Sequence, residues 1–153
     1  EGAIWANASL RDISRQVASA TKSGSENFFM ANMVPTVVSD DVDAAFAIHR
    51  KTLTGYVSLP NYRNYWRIAG YEKEMDNIES IIVSTPKEAL GEQLQRAMTN
   101  EWLHDCTISG NATQVREQFD RWASTGVLPI AVMSSTSGGQ AKAVAELFSV
   151  YES

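Results

Sequence analysis

Short uncharged apolar runs and longer stretches with apolar positions every three or four residues take turns along this chain. Ala3-Ile4-Trp5-Ala6 is the first run and closes on Asn7-Ala8-Ser9, the pattern of a buried strand that opens into a loop. Ser9 then supplies an N-cap for a helix over residues 10–21, with Leu10, Ile13, Val17 and Ala20 at helical spacing and Lys22-Ser23-Gly24-Ser25 as its stop. Residues 28–38 are apolar and partly β-branched almost throughout, as in a parallel strand covered on both faces. Pro35 donates no ladder hydrogen bond, so it predicts a bulge, an edge position or a strand that ends near Val34.

Ser39-Asp40-Asp41 caps the clearest helical pattern, residues 42–57, in which Val42, Ala45, Phe46, His49, Leu53 and Val57 fall on or near one face. Leu59-Pro60-Asn61-Tyr62 breaks it. Helical spacing resumes over 62–70, 72–82 and 86–104, the last with Pro86 in a favoured first-turn position. Beyond Ile108-Ser109-Gly110-Asn111, an amphipathic helix carries Val115, Phe119, Trp122 and Ala123 and stops at Gly126. Residues 128–133 read as a third strand, Ser134-Ser135-Thr136-Ser137-Gly138-Gly139 as a loop, and 140–151 as a final helix. Strands alternating with helices predict right-handed βαβ units and an α/β fold. Three strands make a poor sheet, however, and a strand as apolar as 28–38 needs partners at both edges, so strands are expected to be missing.

Composition narrows the picture. With 153 residues, 44% apolar and 20% charged, the chain has the size and balance of one globular domain. Its 13 basic and 18 acidic side chains are scattered and sum to a net charge of -5, which argues against a nucleic-acid partner. No apolar run approaches the roughly 20 residues that span a bilayer, and the start resembles no signal peptide. The single Cys106 excludes an internal disulfide and fits a reducing, cytoplasmic location. The chain begins without Met and enters an apolar run at once, so elements are expected upstream of Glu1.

Three segments together carry a family resemblance: the opening residues 2–9 (GAIWANAS), residues 33–71 (MVPTVVSDDVDAAFAIHRKTLTGYVSLPNYRNYWRIAGY) and residues 108–133 (ISGNATQVREQFDRWASTGVLPIAVM). They resemble the last three units of the luciferase-like monooxygenases, flavin- or deazaflavin-dependent oxidoreductases. Thr36 to Asp41, Tyr56 with Leu59-Pro60-Asn61-Tyr62, and Gly110 with Val115 and Gly126 match packing and capping features of that family, and none is a catalytic signature. The resemblance implies the C-terminal part, about three β/α units, of a (β/α)8 TIM barrel. Residues 3–8, 27–38 and 128–133 would be its strands six, seven and eight, and a helical insertion over about 58–108 would precede the last strand. It implies FMN or the deazaflavin coenzyme as cofactor, a small organic molecule as substrate, and a missing N-terminal barrel half or a homo-oligomer as partner.

In such a barrel the active site lies at the C-terminal ends of the strands, which directs attention to Asn7, Thr36 to Ser39, and Ser134, Ser135, Thr136, Gly138 and Gly139. The last group precedes a helix, where backbone N–H groups and the positive dipole end suit a phosphate; the plain alternative is a flexible loop with an N-cap. Tyr56, Tyr62 and Trp66, with Tyr65 and Tyr71, are candidate walls of an apolar substrate pocket, or else pins between the broken helices. His49, and His104-Asp105-Cys106 at adjacent positions, lack the spacing that converges on a metal, and Cys106 reads as a buried spare thiol, not a nucleophile. Two further functional classes remain open: a non-catalytic assembly module that oligomerises through strand edges, and a complete small α/β protein unrelated to redox chemistry.

Overall fold

Every strand pairing in the sheet is parallel. A computed structural model describes residues 1–21 and 28–152. The stop at Lys22-Ser23-Gly24-Ser25 and the strand position Asn27 lie outside the described residues. The element order is β1 (Gly2–Ala6), α1 (Ile13–Thr21), β2 (Phe29–Val38), α2 (Val42–Val57), α3 (Pro60–Ile68), α4 (Glu72–Ser84), α5 (Lys87–Ala97), α6 (Asn100–Cys106), β3 (Ile108–Gly110), α7 (Ala112–Ala123), β4 (Leu128–Ser134) and α8 (Gln140–Ser149). The fold is α/β, as the alternation of periods predicts.

β2 is the hub of the sheet. β1 pairs with its first half, Gly2 to Ala6 against Phe29 to Met33, and β4 pairs with residues 31–37. Because β4 overlaps both other partners along β2, β1 and β3 must share the opposite side, with β3 on residues 36–38. That arrangement explains Pro35, which stands inside a ten-residue strand and ends nothing. Asn7 N donates to Met33 O, so odd-numbered residues of β2 turn their backbone groups toward β1 and β3. Pro35 falls between the last β1 contact at Met33 and the first β3 contact at Thr36, where its missing N–H breaks no ladder bond.

Three expectations are corrected. Where three strands are predicted the sheet has a fourth, Ile108–Gly110, all three residues buried. Residues 86–104 are two helices, since Met98 takes an extended conformation and the Thr99 side chain caps α6 by accepting from Trp102 N. Leu10 likewise sits in a turn ahead of α1, its N–H donating to Asp105 O at 3.0 Å.

The apolar faces form two cores. α2 to α6 bury Phe46, Leu53, Val57, Trp66, Met75, Ile78, Leu94, Trp102 and Leu103 among themselves. The second core lies between one face of the sheet and α1, α7 and α8, built on Ile13, Val34, Ile108, Val115, Phe119 and Trp122, and Tyr65 packs against both. Local signals fix the helix starts: Asp41 accepts from Ala44 N at 2.9 Å, Pro60 opens α3, and Asn111 with Gln114 forms a capping box on α7.

Candidate functional site

The C-terminal ends of the strands are the place where polar groups collect. At the end of β1, Asn7 turns the chain out of the sheet with φ +57°, a conformation that Asn tolerates better than most residues. The residues that follow are stitched in place. Ala8 N donates to Asn32 Oδ1 at 3.2 Å, Ser9 N to the Tyr65 hydroxyl at 2.8 Å, and Arg11 N to Asp105 Oδ1 at 2.8 Å. Asn7 is only 4% exposed, and its Nδ2, like that of the fully buried Asn32, has no acceptor among the described residues. The pair therefore brings two unused buried donors to the end of β1.

At the end of β4 the run of small hydroxyl residues folds as a turn. Ser137 N donates to Ser135 Oγ at 3.1 Å, and Thr136 Oγ1 reaches Ser39 Oγ, at the end of β2, at 3.3 Å. Gly139 is the N-cap of α8 and has no side chain to occupy the N–H groups of the first turn. Gly138 is needed for close approach, because a Cβ there would lie 2.8 Å from Lys142 Cβ. Ser134, Ser135, Gly138, Gly139 and Gln140 face Ile48, Lys51 and Thr52 of α2 across a hollow of about 540 Å³, so Lys51 adds a positive charge to a wall of donors. Thr136 turns the other way, into a hollow of about 510 Å³ shared with Ser39, Asp40, Asn111 and Thr113.

The aromatic group is brought together, but elsewhere. Tyr56 and Tyr62 meet edge to face at 5.0 Å, Tyr62 lies 5.5 Å from Trp66, and Trp66 packs edge to face on Trp102 at 4.8 Å. Trp66 is fully buried and its Nε1 donates to Asn7 O. Tyr62 lines a hollow of about 260 Å³ between α3 and Ile4, Trp5 and Ala6, and burial raises its phenol pKa. Asn7 therefore sits with the aromatic group and not with residues 134–139. β1 ends beside Met33 whereas Ser134 pairs with Val37, which puts the two ends roughly 13 Å apart along the strands and about 10 Å apart across them.

A polar cluster around Asp105 has no counterpart in the sequence reading. The Ser9 hydroxyl donates to Asp105 Oδ2, and Tyr71 lies beside that carboxylate with its phenol pKa raised, first by burial and then by the neighbouring charge. Arg11 stacks 4.5 Å over the Tyr71 ring and pairs with Glu101 at 2.6 Å. Arg11, Tyr71, Glu101 and Asp105, with His104, Ser109, Glu117 and Arg121, border a hollow of about 440 Å³. Ser9 and Asp105 are 96 positions apart, so no spacing rule links them. Cys106 is fully buried and desolvation pushes its thiol pKa up, which keeps it un-ionised and poorly nucleophilic. His104 packs edge to face on Phe46 at 4.7 Å, and His49 is buried. Among the described residues no three His, Cys, Asp or Glu side chains are grouped to hold a metal, and no helix is long and apolar enough to cross a membrane.

Comparison of the chain with protein-family models, with curated proteins and with solved structures finds no match.

Proposed function

We propose that this chain is the C-terminal part of a luciferase-like (β/α)8 barrel, a cytoplasmic flavin- or deazaflavin-dependent oxidoreductase of the monooxygenase type, inactive until further strands complete it. The observation that carries this reading is the sheet itself: β1, β2 and β4 lie side by side, parallel and in chain order, with α1, α7 and α8 packed on one face. That is the sector a (β/α)8 barrel would present if it were opened.

The hydroxyls of Ser134 and Ser135, the uncapped first turn of α8 behind Gly138 and Gly139, and the Lys51 ammonium suit the phosphate of FMN or of the deazaflavin coenzyme, while Thr136 faces a separate hollow. The cofactor, when bound, supplies the redox chemistry. The residues of this chain bind and orient: Asn7 offers an amide donor at the end of β1, and Tyr62, backed by Tyr56 and Trp66, walls the apolar side against a small organic substrate.

Fluorescence titration with FMN, riboflavin and the deazaflavin coenzyme tests the reading. FMN or the deazaflavin is expected to bind at least tenfold more tightly than riboflavin, and Lys51→Glu to abolish that preference while leaving riboflavin affinity unchanged. Equal or undetectable binding of all three overturns it.

A further inference from the structure

Helices cover one face of the sheet; the other buries Ala31, Pro35 and Val37 but leaves six large apolar side chains exposed, and is called the bare face below. Residues in register on parallel strands point to the same side, so Ile4, Ala31 and Leu128 share a face, as do Met33 with Ile130 and Pro35 with Val132. On that face Ile4 is 59% exposed, Phe29 48%, Met33 40%, Leu128 53%, Ile130 36% and Val132 45%. The other face, carrying Trp5, Met30, Val34 and Ala131, is packed against α1, α7 and α8. With residue areas of roughly 150–200 Å² for large apolar side chains, the six expose on the order of 500 Å² per copy. Two such faces together reach about 1,000 Å², the lower bound of a specific interface, before any strand edge is counted.

Charge and symmetry select the occupant. β1, β2 and β4 contain no charged residue, although sheet edges are usually guarded by lysine or glutamate. Two copies each carrying a net charge of -5 repel one another unless they meet on an uncharged surface, and this face is one. The outer edges of β1 and β4 are both unpaired among the described residues. A twofold axis along the strands sets each β1 beside the other copy's β4, keeps both pairings parallel, and so closes both edges in one operation. Pro129 withholds one donor from the β4 edge; its neighbours keep theirs.

We propose that the bare face docks a second copy of this chain about a twofold axis running along the strands, with β1 of each copy beside β4 of the other. The inference rests on the sheet and not on the flavin reading, so a dimer that binds no flavin, or a monomer that does, separates the two.

Sedimentation equilibrium of the 153-residue chain from micromolar to submillimolar concentration is expected to give twice 16.8 kDa. Ile130→Lys is expected to weaken the dimer by about 100-fold, because it buries an unpaired charge; Val83→Lys, at a position 84% exposed on α4, is expected to leave it intact. Should Ile130→Lys fail to fold, Leu128→Gln, with unchanged circular dichroism, should weaken the dimer by about tenfold. A mixture of Ala3→Cys and Pro129→Cys chains treated with a short thiol crosslinker should give mainly the mixed product. A monomer at every concentration, a dimer indifferent to both face variants, or like-with-like crosslinks alone would each overturn the proposal, and the monomer would leave the face to a different chain.

Discussion

The indole Nε1 of Trp66 donates 3.2 Å to the backbone carbonyl of Asn7, across 59 residues, and thereby ties the helical block to the end of the first strand. Both groups are buried, so neither finds water if the other is removed. Trp66→Phe keeps an aromatic ring against Trp102 but orphans the carbonyl and leaves a void. The expected loss is about 2–3 kcal/mol, a fall in Tm of roughly 4–12 °C for a chain of this size. Thermal unfolding checks it, and faster amide exchange at Ala8 and Ser9 should accompany it.

Asp105 does a comparable job from α6. One carboxylate accepts from the Ser9 hydroxyl and the Arg11 N–H, while the carbonyl of the same residue accepts from Leu10 N. Charge-assisted bonds of this kind are the stronger ones. Asp105→Asn is expected to cost about 1–3 kcal/mol in urea unfolding. A double-mutant cycle with Ser9→Ala should return a coupling of about 1–2 kcal/mol; a coupling near zero would show the Ser9 contact to be energetically idle.

These two ties also mark where sequence reasoning stops. The strands were legible because Ala3-Ile4-Trp5-Ala6, residues 28–38 and residues 128–133 are uncharged and β-prone, and the helices because their apolar positions repeat at helical spacing. Ile108–Gly110 was not, since three residues are too few to show a period and their strand character comes from pairing with Thr36 to Val38. Pro35 misled for a similar reason: what permits it is a gap between two neighbours on one side of β2, a tertiary fact. Of the candidate site, the hydroxyl-rich turn before α8 could be read from composition. That Asn7 would stand with Tyr62 and Trp66 and away from Ser134 could not, because strand register sets that separation.

Two glycines with positive φ make a controlled comparison. Gly110 has φ +136° and a Cβ there would lie 2.8 Å from Gln114 Cβ, inside the capping box of α7; Gly126 has φ +81° with nothing within 4 Å. Gly126→Ala is expected to cost only the left-handed backbone term, about 1 kcal/mol. Gly110→Ala adds a clash and a disturbed cap, for a total of roughly 2–4 kcal/mol. Equal costs in denaturant unfolding would mean that the Gln114 contact relaxes freely.

His49 gives the fold a pH dependence on the acid side of neutrality. It lies 1% exposed on the inner face of α2 with a backbone hydrogen bond to Ile108, and its Nε2 has no partner among the described residues. Burial disfavours the imidazolium and lowers the pKa from 6.5 to about 4, the bond to Ile108 opposing it in part. As pH falls below 6.5 the unfolded chain takes up a proton that the folded chain refuses, so stability is full above the unfolded value and declines down to about 4, below which both states are protonated. The slope in that window approaches about 1.4 kcal/mol per pH unit and the total loss is on the order of 3 kcal/mol. His49→Leu removes the group, so the difference in unfolding free energy between wild type and variant, measured in urea at several pH values, should shift in the variant's favour below pH 6.5 and stay constant above it. A difference that does not change with pH would mean that His49 titrates as freely in the fold as in the unfolded chain.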